Sequence, residues 1–219
     1  MSIAPSLASG LGLLATLAFW VAPGTASDGA RPTYVGATVA PSSLGGHAFE
    51  FRDEADAALT EWALGRFAIA GLNLPTLLVS FHDDKERCGG HPGLYQSGTP
   101  ARIHLCGFNW DRFLVKAKMT LLHELGHAWA ADTLTAEARQ RFVDFRGLPT
   151  WGDDQWLWKE QGSEQAAEVI AWALLDQEVR MSSIPDSQPL SLAQAYFQLT
   201  GTMPTLRVVD VLSGHRQQA

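Results

Sequence analysis

Thr120-Leu121-Leu122-His123-Glu124-Leu125-Gly126-His127-Ala128-Trp129 is the stretch whose reading decides the rest of this chain. In a helix, residues four apart sit one turn above each other, so the His123 and His127 imidazoles project from one face. That spacing lets two ring nitrogens grip one zinc ion, with Glu124 in reach of a metal-bound water as general base. The flanking Met119, Leu121, Leu122, Ala128, Trp129 and Ala130 are apolar, which marks a helix of the core rather than a solvated one. Any polar side chain on such a helix needs a partner. Gly126 costs about 1 kcal/mol relative to alanine within a helix, so it is expected to admit close approach by another segment or by a substrate.

A catalytic zinc takes three protein ligands and keeps one position open. Downstream, Glu164 and Glu168 stand four apart, hence on one face, in a run otherwise made of Ala, Val, Ile, Trp and Leu. Two carboxylates on so apolar a helix are costly unless something positive meets them. Glu164 is therefore assigned to the metal. Glu168 is assigned to the free ring N–H of one ligand histidine, with a direct ligand role as its alternative. Glu160, in the preceding loop, is a weaker candidate. The metzincin arrangement, with glycine and histidine at fixed downstream offsets, does not fit, because Ala130 and Thr133 occupy those positions.

His123-Glu124-x-x-His127 followed by Glu164-x-x-x-Glu168 resembles the gluzincins, the zinc-peptidase group that includes thermolysin. Glu164, Ala167 and Ala171 also match a Glu-x-x-Ala-x-x-x-Ala pattern found in small exported or regulatory metallopeptidase-like domains. The resemblance implies a zincin-like domain that hydrolyses peptide bonds with Zn2+ held by His123, His127 and Glu164 and with Glu124 as the base. The interval from His127 to Glu164 is longer than in thermolysin, which leaves room for an extra helix and a tryptophan-rich loop. For the tyrosine or histidine that steadies the transition state in that group, His91, Tyr95, His104, Tyr196 and His215 are all candidates. The rival class is a secreted zinc-containing binding or structural module without turnover. Zinc hydrolysis of a non-peptide bond is a third reading.

The composition is that of a globular protein, with 18% charged residues and eight tryptophans in 219 residues. A formal net charge of −7 argues against nucleic acid or an anionic membrane surface as partner. The expected partner is a peptide or protein substrate, met by a monomer. No charged side chain occurs in residues 1–27, and Leu7 to Ala22 is mostly apolar, followed by Pro23-Gly24-Thr25-Ala26-Ser27. This reads as a signal peptide cleaved after Ala26. Because no Lys or Arg precedes the apolar run, an uncleaved anchor over residues 3–22 is the rival, and the membrane enters only through it. The expected location is secreted or cell-envelope. Cys88 and Cys106, the only cysteines, read in an exported chain as one disulfide, stabilising by about 3 kcal/mol.

The chain then reads as an α+β, helix-dominated domain over residues 47–219, with a small sheet beside the helix of His123 and His127. Residues 27–46 read as a flexible lead-in. A helix is expected from about Arg52 to Ala70, stopped by Gly71, then a buried strand over Pro75–His82 and a loop over Asp83–Pro100. A second strand, Ala101–Cys106, would lie with its edge beside the cleft. The metal-binding helix should run from about Asp111 to Ala131 with Asn109 or Asp111 as cap. Thr135 should cap a shorter helix ended by Gly147, and Ser163 the helix of Glu164. Between these two helices, Trp151, Trp156 and Trp158 are expected to pack a core edge or wall a cleft. Pro185 and Pro189 bracket a turn before a last helix over about Leu190–Leu199, and the tail from Gly201 is expected to be only partly ordered.

Overall fold

Two rows of side chains, one apolar and one mostly polar, define the two faces of a four-stranded sheet in the computed structural model. The structure describes residues 46–107, 110–152 and 155–205. The leader expected over residues 1–26, nearly all of the lead-in, Asn109 and His215 lie outside the described residues. Strands β1 (Ala48–Glu50), β2 (Leu77–His82), β3 (Gly93–Gln96) and β4 (Ala101–Cys106) pair in the order β1-β2-β4-β3. The β1–β2 and β2–β4 pairs are parallel and β3–β4 is antiparallel. Phe49, Val79, Ile103 and Tyr95 lie side by side in register, and so do Glu50, Ser80, His104 and Leu94. Because strand side chains alternate faces, the first row and its neighbours Leu77, Phe81 and Leu105 face the core.

Five helices follow the same chain order: α1 (Glu54–Ile69), α2 (Trp110–Thr133), α3 (Ala136–Arg146), α4 (Gly162–Leu174) and α5 (Pro189–Thr200). The architecture is α+β, with the sheet beside α2 as expected. Leu121, Leu122, Leu125, Ala128 and Trp129 bury one side of α2 in the same core that receives Leu59, Ala63 and Phe67 of α1. Among the described residues no helix is long and apolar enough to cross a membrane.

Several local expectations are corrected. Asp83–Pro100 is not all loop: it holds a 3₁₀ turn, Glu86–Cys88, and strand β3. Strand β1 was not expected, since three residues are too few to show alternation. Strand β4 is internal and β3 forms the edge. Helix α1 starts two residues later than Arg52, whose guanidinium instead bonds the Asp56 carboxylate. Helix α2 already includes Asp111, so Asp111 is not its cap. Ser163 is not a cap either. Helix α4 begins at Gly162, and the first N–H groups of Gly162 and Ser163 bond the Thr150 and Trp151 carbonyls, so backbone replaces a capping side chain. Pro189 opens α5 at its first turn rather than closing a turn, where its missing N–H is harmless. Thr135 does cap α3, accepting from Ala138 N at 3.2 Å, and Gly147 ends it in the left-handed conformation.

The Cys88–Cys106 disulfide is present, with the Cα atoms 6.1 Å apart, and fastens the 3₁₀ turn to the end of β4. Helices α2 and α4 cross with their backbones in close approach. A Cβ on Gly126 would stand 3.1 Å from Ala167 Cα and 3.3 Å from its carbonyl oxygen. Glycine and alanine therefore meet where the two axes pass. Replacing Gly126 by valine should force them apart and destabilise the fold by about 2 kcal/mol. Alanine should cost less, because its better helix propensity offsets the squeeze by about 1 kcal/mol. Urea denaturation of the metal-stripped protein distinguishes the two, and equal midpoints for valine and wild type would contradict this packing.

Candidate metal centre

The residues flanking that crossing form a polar cluster between the two helices. His123 and His127 stand three before and one after Gly126, and Glu164 and Glu168 stand at the same offsets from Ala167. The crossing thus turns an i, i+4 pair of imidazoles toward an i, i+4 pair of carboxylates. His123 Nε2 lies 3.0 Å from His127 Nε2, and Glu164 Oε2 lies 3.2 and 3.3 Å from the two nitrogens. Zinc–ligand bonds of about 2.0–2.1 Å at tetrahedral angles imply ligand–ligand separations of about 3.3–3.4 Å, close to this triangle. Two ring nitrogens facing each other across 3.0 Å have only one hydrogen-bond arrangement, with one protonated. A cation at the centre satisfies both lone pairs and the carboxylate together. His123, His127 and Glu164 form a group able to hold a metal ion, and among the described residues no other His, Cys, Asp or Glu cluster does so.

Glu168 sits behind this group. Its Oε1 is 3.8 Å from His123 Nδ1, longer than a hydrogen bond, and its Oε2 is buried without a partner. Burial raises its pKa, against the pull of His123 and a hydrogen bond from Ser183. Burial on its own would lower the pKa of His123. The bond to Glu164 and the charges of Glu168 and Glu124 reverse that and raise it to about 9. In turn, burial works against the Glu164 carboxylate, but its bonds to His123 and His127 hold it well below the ordinary carboxylate range.

Glu124 is nearly buried, at 7% exposure. Strand β3 passes directly over it. A Cβ on Gly93 would collide with Glu124 Oε1 and stand 2.8 Å from its Cγ and 2.7 Å from Thr120 Cγ2. Only glycine lets the strand come so close, and from there the Tyr95 backbone bonds the Glu124 carboxylate. Burial raises the pKa of Glu124, against the attraction of both histidines.

A cleft of about 950 Å³ opens over these groups. Tyr95 stacks on His127 and Trp158 on His123, each with ring centroids 5.9 Å apart. Trp151 and the segment Val179–Ser183 complete the walls. Trp151 and Trp158 therefore do both things expected of the tryptophan loop, packing against the core and lining the cleft, whereas Trp156 is exposed. Of the five candidates for a transition-state group, His91 and Tyr95 line the cleft. His104 lies on the opposite face of the sheet, and Tyr196 is buried in α5. Glu160 accepts from Leu157 N at 3.2 Å within its own turn and takes no part in the cluster. Gly93, the Tyr95 backbone and Ser183 were not singled out from the sequence for these contacts, and nothing in its local pattern marks them.

The chain matches no protein-family model, no curated protein and no solved structure. The likeness to gluzincins rests on the two short motifs.

Proton linkage provides a test. Without metal, His123 keeps its proton up to about pH 9, whereas a metal ligand must be neutral. Metal binding near neutral pH should therefore release a proton, and the release should fade as the pH rises past about 9. Calorimetric titration in two buffers of different ionisation enthalpy measures it. For the metal-free fold the raised His123 pKa contributes stability that is full below the ordinary 6.5 and lost as pH rises through about 9. The lowered Glu164 pKa contributes stability present above the ordinary 4.5 and lost as pH falls.

Proposed function

We propose that this chain is a zinc-dependent hydrolase, a metallopeptidase cleaving peptide bonds within the cleft over α2. The observation that carries the reading is the placement of Glu124: a buried carboxylate, next in sequence to one member of the His-His-Glu triangle, held by β3 at the floor of an open cleft. A purely structural zinc site closes its coordination with four protein groups, while a catalytic one uses three. The triangle supplies three.

In this reading His123, His127 and Glu164 hold the metal, and two imidazoles with one carboxylate suit zinc best. Bound zinc would supply Lewis acidity, drawing the pKa of water toward about 7 and polarising a carbonyl. Glu124 accepts the proton of the attacking water and returns it to the departing amine nitrogen. Its raised pKa brings it nearer to working pH than a solvated carboxylate would be. Tyr95 and Trp158 lock the two imidazole planes by stacking. An extended peptide finds its edge strand in β3, not β4, since β3 ends the sheet and its Gly93, Leu94 and Tyr95 line the cleft. The disulfide is consistent with work in an oxidising, exported setting.

Glu124→Gln should keep zinc and lose turnover by about 10²–10⁴-fold, while Glu164→Ala should lose the zinc itself. Metal analysis of the purified variants beside cleavage of a quenched peptide library reads both effects. Hydrolysis by Glu124→Gln at the wild-type rate would end the mechanism.

A further inference from the structure

The sheet face turned away from α2 carries a second convergence of ring nitrogens. Ser80 and His104 are register partners on β2 and β4, and His82, two residues beyond Ser80, shares their face beside Cys106. His82 Nε2 lies 3.1 Å from His104 Nδ1, and Ser80 Oγ lies 2.7 Å from His104 Nδ1 and 3.2 Å from His82 Nε2. The nitrogen–nitrogen edge of this triangle nearly equals the 3.0 Å one between His127 and His123, while its Ser80–His104 edge has a hydrogen-bond length.

Hydrogen bonding accounts for two of its three edges. Each imidazole nitrogen is either a donor or an acceptor, never both, and the hydroxyl has one proton. With one nitrogen protonated, its N–H donates to Ser80 Oγ and the hydroxyl donates to the other nitrogen, which leaves the 3.1 Å contact between the two nitrogens without a bond of its own. If both nitrogens are bare, their lone pairs oppose each other. A central cation meets both nitrogens and the oxygen together. Ser80 and His104 are buried, which excludes a serine nucleophile here. His82 is reached through a hollow of about 420 Å³ that it shares with Asp84, Glu86 and Arg87. The charges of Arg87, Arg52 and Arg102 oppose a cation at this place, while those of Asp84 and Glu50 favour one. The Cys88–Cys106 disulfide fastens the loop that carries Asp84 and Glu86.

We propose that His82, His104 and Ser80 form a second site for a divalent transition-metal ion, zinc or copper by donor type, separate from the centre between α2 and α4. Asp84 and Glu86 line the hollow that leads to it.

The test is equilibrium dialysis of the metal-stripped full chain against zinc, followed by metal analysis and by nitrogen-resolved NMR of the histidine rings. Expected are about two equivalents of zinc, falling by one in His82→Ala and by one, independently, in Glu164→Ala. Because His82→Ala could disturb folding, the wild-type ring signals give a second reading: those of His82 and His104 should shift with added zinc. Unshifted His82 and His104 signals, or two equivalents retained by a folded His82→Ala chain, would overturn the site. If the His82 and His104 rings shift but those of His123 and His127 do not, this proposal stands and the hydrolase reading falls.

Discussion

The approach of Gly126 to Ala167 is the constraint from which the centre follows. Helix α2 cannot bring His123 and His127 within bonding reach of α4 unless both backbones carry almost nothing at the crossing. A Cβ at position 126 would press on Ala167 Cα and its carbonyl. With the axes that close, the side chains three before and one after the contact have no choice of neighbour, and imidazoles meet carboxylates. The apolar surroundings on both helices then amplify every charge placed there. Packing and electrostatics are one design in this region: small residues set the distance, and the distance sets the pKa values of His123 and Glu164.

A second close approach joins the sheet to the same helix. Gly93 lets β3 press on Glu124 and Thr120, which shields the carboxylate from water and lets the Tyr95 backbone bond it. The side chain of Tyr95 leaves the strand on that core-facing side and covers His127. One short strand thus orients the acid beside the cluster and stacks one of its rings, while α4 and a second 3₁₀ turn, Trp158–Glu160, serve the other ring.

What was legible in the sequence was whatever obeys a local period. The four-residue spacing of His123 and His127, and that of Glu164 and Glu168, fixes which side chains share a helix face whatever the tertiary structure. The apolar run around each motif told which helices are core. Gly126 read as a close-approach site because glycine within a helix is costly without such a reason. The pair of cysteines and the threonine before α3 are similarly local. The strands β1 and β3 were not legible. Ala48–Glu50 is too short to alternate, and Gly93–Gln96 lies among glycine, proline and histidine, so its extended form comes from pairing with β4 rather than from propensity. Sheet order was equally hidden, which is why the exposed edge was placed on β4. The missing cap of α4 has the same origin, because the carbonyls of Thr150 and Trp151 that replace a Ser163 cap belong to a segment brought there only by folding.

Strand β3 lies inside the covalent ring closed by Cys88 and Cys106. In the oxidised chain residues 93–96 stay leashed even when unfolded: they explore fewer arrangements, and less entropy is lost when they settle onto β4. The tether holds no atom of the metal cluster, yet it shortens the search of the one strand that must lie flat against Glu124. Oxidation of two thiols thus lowers the entropic cost of laying down the strand that shelters the acid.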